Sequence, residues 1–161
     1  MATQKLQPSR ALRAHPSDNA DIAYPNQIAG GTNTTSTAFK LINSAALYVT
    51  KNVKTGDIVH NDTLGTAATV ISVDSETQLT LNANIFTATA QLYAVYSMSP
   101  QTSMGNPGCV LYIGTGGNVR VTTSGNDIIT FANVQDGTFF PISVIKLWAT
   151  GTTATAVNAL W

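Results

Sequence analysis

Apolar and polar residues alternate most regularly in the last third of the chain. Short apolar runs over 110–113, 119–123, 128–131, 139–149 and 154–161 are separated by Gly, Asn, Asp and Thr. Turn signals recur about every 8–12 residues, the spacing of antiparallel sandwiches and barrels. Successive side chains of a strand point to opposite faces. Ile142, Val144 and Trp148 are therefore expected on one face, with Ile145 and Leu147 on the other. The last run ends on Leu160-Trp161, and an indole there is expected to dock rather than stand in water.

Residues 39–97 repeat the pattern on a smaller scale. Strands are expected over 39–41, 46–49, 58–59, 68–73, 78–81 and 91–96. Val70 alternates with Ser72, and Leu79 and Leu81 share a face. This is enough for a small, partly open barrel, although a unit of this size buries a modest core and gains from neighbours. Two stretches bracket it: PNQIAGGTNTTSTA at 25–38 and MSPQTSMGNPG at 98–108. Both read as linkers by composition. The middle block is thus an insertion, and the outer unit is residues 109–161 together with residues 1–24. No segment carries a 3.6-residue apolar stripe, and the Thr and Val content favours strands. The expected fold is all-β: an antiparallel β-sandwich or barrel with a second small β-barrel module inserted.

Residues 1–24 read as an N-terminal arm. Pro8 and Pro16 break regularity, Arg10, Arg13 and His15 make it the most basic stretch, and Leu6, Leu12 and Ile22 are its apolar anchors. The usual reading of such a segment is a solvated terminus. The functional reading is an arm that orders on a neighbouring subunit, which makes Leu6, Arg10, Leu12, Arg13 and Ile22 the candidate oligomer or capsid contacts.

Composition narrows the chemistry. Formal net charge is zero and 10% of the residues are charged, against about 25% in an ordinary domain. Electrostatic capture of nucleic acid needs clustered Lys and Arg, so no nucleic-acid partner is expected. No apolar run approaches the roughly 18 residues of a membrane helix, and no signal peptide precedes the arm. A soluble protein made in a cytoplasm is expected.

Cys109 is the single cysteine, expected as a small buried apolar residue. His60 and Asp62 can share a strand face, but two ligands make a poor metal site, and an exposed turn is expected there. His15 is placed on the arm, away from them. The single Glu, Glu76, sits in an Asp-Ser-Glu-Thr turn, and the scattered Asp residues are turn formers rather than paired acids. Gly114-Thr115-Gly116-Gly117 runs strand to strand without a helix N-terminus, so a hairpin turn is expected rather than a phosphate loop. No enzyme motif, cofactor or metal is expected.

Several segments of the outer unit resemble the head spike-base proteins of tailed phages and gene-transfer agents. They are Arg10-Ala11-Leu12, the run Pro16-Ser17-Asp18-Asn19-Ala20-Asp21-Ile22, and Leu111-Tyr112-Ile113-Gly114-Thr115-Gly116-Gly117-Asn118-Val119. Ile129 to Val134, Gly137 to Ile142 and Ala149 to Thr155 add to the likeness. In that family the arm leads almost directly into the LYxGTGG strand, whereas this chain carries residues 25–107 between them. The middle block is similar to small β modules of other phage structural proteins. The resemblance implies a virion protein on the capsid surface, a head decoration, cement or spike-base subunit. Its implied partners are the major capsid protein, further copies of itself as a trimer or pentamer, and a head fibre. A tail or baseplate adaptor and a carbohydrate-binding host-attachment module are the competing expectations.

Overall fold

The structure is a computed structural model that describes residues 8–99 and 107–161. Every element assigned among them is a strand: β1 (Ala11–Arg13), β2 (Gln27–Thr32), β3 (Lys40–Ile42), β4 (Ile58–Asn61), β5 (Thr66–Val73), β6 (Gln78–Leu81), β7 (Leu92–Tyr96), β8 (Cys109–Thr115), β9 (Gly117–Thr123), β10 (Ile128–Val134), β11 (Thr138–Leu147) and β12 (Thr155–Leu160). They form two antiparallel sheets of six strands, ordered β1-β12-β8-β11-β9-β10 and β2-β7-β4-β5-β6-β3. The fold is all-β, as the turn spacing predicts.

The middle sheet curls until its outermost strands nearly meet. Thr35, just after β2, bridges to Ile42 at the end of β3, and the Thr34 amide donates to the Ile42 carbonyl at 2.8 Å. Inward-facing Leu41, Val59, Val70, Leu79, Leu81, Tyr93 and Val95 fill the interior, with Tyr48 and Phe86 supplied by loops. Alternation predicts this interior well, because each strand has one dry and one wetter face.

Two expectations for this region change. The stretch 25–38, read as a linker, carries β2. Its Gly30-Gly31 pair serves close approach rather than a turn: a Cβ on Gly31 would sit 3.0 Å from the Asn43 side-chain amide and 3.6 Å from the Tyr93 ring. Residues 46–49, expected as a strand, form a turn in which Tyr48 points inward while Leu47 and Val49 stay exposed. An in-out alternation arises there without a neighbouring chain to pair with. In the linker expected at 98–108, Met98 is buried, and residues 100–106 lie outside the described residues.

The outer sheet is built from the chain's two ends. Ala11 pairs with Leu160 and Arg13 with Asn158. The path then continues along the sheet: Ala14 donates to Val157, Ser17 to Leu147 and Ile22 to Ile145, at 2.9–3.0 Å. Ala14 and Ile22 join Leu111, Ile113, Val119, Val121, Val144 and Leu147 in one core. The arm is therefore docked on its own chain. Of its apolar anchors, Ile22 is buried and Leu12 half-buried within the molecule.

Val144 and Leu147 both point into this core, contrary to the simple alternation that places them on opposite faces. The register of β11 shifts between Phe140 and Val144 against β8, and between Val144 and Lys146 against β9. Each bulge resets which residues face inward.

The Gly114–Gly117 corner also departs from expectation. It is no hairpin, because β8 and β9 each pair with β11 and not with one another. Other backbone crosses close over the corner. A Cβ on Gly116 would lie 2.2 Å from the Val134 carbonyl oxygen, and one on Gly114 would lie 2.8 Å from the Ala156 carbonyl oxygen. Glycine is needed there for approach as much as for conformation.

Residues 17–24 lie against the outer wall of the barrel. Ala20, Ala23, Ala67 and Ala94 pack with Ile58, Tyr96 and Met98, and their small side chains let the backbones come close. Ser17 donates its hydroxyl to the Ala67 carbonyl at 2.7 Å, and Thr69 donates to the Asn19 carbonyl at 3.0 Å.

Candidate interaction face

Strand β8 has apolar residues on both faces. Leu111 and Ile113 point into the core, while Val110 and Tyr112 point outward. On the outward side, Val110 is opposite Leu160 of β12, and Tyr112 is opposite Phe139 of β11. Phe139 is 49% exposed. Val110, Phe139 and Leu160, together with Pro8, Pro141 and Trp161, line a groove of about 480 Å³. The described residues leave this groove open to solvent. A strand apolar on both faces is one that expects a cover on both, and that signal was readable at Val110-Leu111-Tyr112-Ile113.

One edge of the same sheet is β10, which among the described residues pairs only with β9. Ile128 and Ile129 are 56% and 45% exposed there. An unpaired edge bearing apolar side chains is a template for another strand. Its far end is blunted, since the register shifts between Phe131 and Val134 and Asn133 adopts a φ of 55°.

The residues expected to contact a partner fall elsewhere. Leu6 lies outside the described residues. Leu12 is half-buried against the barrel junction, and Ile22 is buried in the outer core. Arg10 is exposed and holds its own chain: it donates to the Pro25 carbonyl at 2.9 Å, with its guanidinium carbon 5.7 Å from the Tyr24 ring centre. Arg13 is exposed beside a cavity of about 200 Å³. Of these five, Arg10 and Arg13 alone are shown at the surface. Asp18, by contrast, fastens the arm. Its carboxylate accepts from the Thr150 hydroxyl and amide at 2.6 and 2.9 Å. The Thr150 hydrogen bonds, chiefly that from the hydroxyl, hold its carboxyl below the ordinary value.

Polar chemistry is sparse. Cys109 is buried, and that burial raises its thiol to about 12, so it is no thiolate nucleophile. His60 is not in an exposed turn: it lies on β4 and is 2% exposed. Burial, then the charge of His15, lowers its pKa to about 3. His15 stands over it, ring centres 4.6 Å apart and edge to face, and meets Asp62 at 3.1 Å. Arg120 and Lys146 sit over the Trp148 ring, at 4.9 and 4.2 Å.

No family model, curated protein or solved structure matches this chain.

Proposed function

We propose that this protein is a structural subunit of a bacteriophage virion, attached to the head as a decoration or spike-base protein. The observation that carries the reading is the outer sheet, which presents an apolar groove beside Phe139 and an unpaired edge at β10 on a chain with few charges. Such a surface is suited to protein contacts made by burial and strand pairing rather than by charge. The resemblance of the outer unit to spike-base proteins supports the head as the location. Many weak contacts repeated over a lattice add through avidity.

The test is quantitative mass spectrometry of particles produced by the genome that encodes the chain. Copies in the hundreds mean a shell protein, about sixty mean vertices, and about a dozen or fewer mean a tail or baseplate adaptor, as symmetry requires. Particles free of the protein would overturn the reading.

A further inference from the structure

Among the described residues, one cluster gathers metal-ligating side chains, and no single stretch of sequence contains it. His60 and Asp62 come from β4 and the turn that follows it. His15 comes from the arm, where it leaves β1 and turns onto the barrel. One ligand atom from each lies within 4.8 Å of the other two. We infer that His15, His60 and Asp62 form a binding site for a divalent transition ion that clasps the arm to the barrel wall.

The geometry is close to what an ion requires. Zinc bound at about 2.0–2.1 Å in a tetrahedron spaces its ligands about 3.3 Å apart. His15 Nε2 and Asp62 Oδ1 are already 3.1 Å apart. Closing His15 and Asp62 onto the His60 nitrogen takes side-chain movements on the order of 1 Å.

Each residue contributes something distinct. His60 is held on a strand and shielded by its neighbours, including Tyr96, whose ring centre is 4.8 Å away. Its position is fixed before any ion arrives. Asp62 is half-exposed and provides the entry route. His15 lines the cavity of about 200 Å³ with Pro16 and Gly65, which gives its ring space to adjust. Two imidazoles and one carboxylate favour zinc, cobalt or nickel over magnesium or calcium, which prefer all-oxygen shells.

The consequence is mechanical. The arm otherwise meets the barrel through alanine packing and a few hydrogen bonds to Ser17 and Asn19. An ion shared by His15 and β4 cross-links two segments 45 residues apart and stabilises the folded chain by an amount that grows with the logarithm of the free-ion concentration over its Kd. This inference is independent of where the protein sits in a particle.

The experiment uses the full chain, stripped with a chelator and titrated with Zn²⁺ by calorimetry and with Co²⁺ by visible absorption. One ion per chain is expected. Asp62→Asn and His15→Gln are each expected to weaken binding at least tenfold with unchanged circular dichroism. The Asp62 side chain is 44% exposed, so Asp62→Asn decides the matter even if a histidine variant fails to fold. Zn²⁺ is also expected to slow tryptic cleavage after Arg13 at least fivefold in the wild type and not in Asp62→Asn. Absence of stoichiometric binding, or wild-type affinity retained in both variants, would overturn the site. Binding without protection of Arg13 would overturn the clasp.

Discussion

The barrel joins its outermost strands through Thr35 and Ile42 and keeps Leu41, Tyr48, Leu79 and Phe86 away from water. The outer sheet leaves β10 with one neighbour and holds Ile128, Ile129 and Phe139 in solvent. Both have six strands and similar alternation, so the difference is one of closure. A sheet that curls on itself consumes its own edges and becomes a self-sufficient core. A sheet that stays open retains hydrogen-bonding capacity for something else. In this chain the N-terminal path supplies β1 at one side of the outer sheet, and among the described residues β10 at the other side pairs with β9 alone.

The sharpest way to break the contrast is through the closed core. Phe86→Ala removes a ring that packs edge-on to Tyr93, with ring centres 6.3 Å apart. It is expected to cost about 3–5 kcal/mol in denaturant-unfolding experiments. A loss below 1 kcal/mol would mean that the barrel core is not the stable part of the molecule.

The closure itself is tested by Asn33→Ala. The Asn33 side chain donates to the carbonyls of Thr35 and Ala88 and accepts from the Gln91 amide at 2.8 Å. Removing it strands buried partners, and a loss of about 1–3 kcal/mol is expected. Hydrogen exchange should rise first at β2 and β3.

Acid separates wild type from Asp74→Asn on the barrel surface. Hydrogen bonds from Gln78 first, then Lys40, Ser72 and Thr80, hold the Asp74 carboxyl well below its ordinary value of 3.8. A depressed carboxylate stabilises the fold above its unfolded-state pKa and loses that contribution as pH falls toward the folded-state value. Wild type is therefore expected to be the more stable at pH 7, with the gap closing as the pH falls below 3.8. A gap that is constant with pH would sink this assignment.

The smallest stability effect is expected at the open edge. Ile129→Lys should leave monomer stability within about 0.5 kcal/mol. The same change puts a charge on β10, which should reduce strand addition. Sedimentation of the variant against the wild type reads this directly, and undiminished self-association would move the interface away from β10.

Much of the fold was legible because its cause is local. Alternation at 110–123 and 68–81, with turn residues between, fixes strands and rules out helices, since side-chain direction follows from backbone geometry alone. Low charge and the lack of clustered Lys and Arg are likewise properties of the chain itself. The rest depends on what the backbone meets in space. The inward pairing of Val144 and Leu147 came from bulges that only neighbouring strands impose. The glycines at 30–31 read as a linker and those at 114–117 as a turn, but their use lies in close crossings with Tyr93, Val134 and Ala156. Ile22 and Leu12 looked like anchors for another subunit until the far end of the chain arrived to receive them. His15 is 45 residues from His60, and no spacing rule links them. Short-range sterics write the strands into the sequence, whereas a site made by two segments exists only once chain folding has paid the entropy of bringing them together.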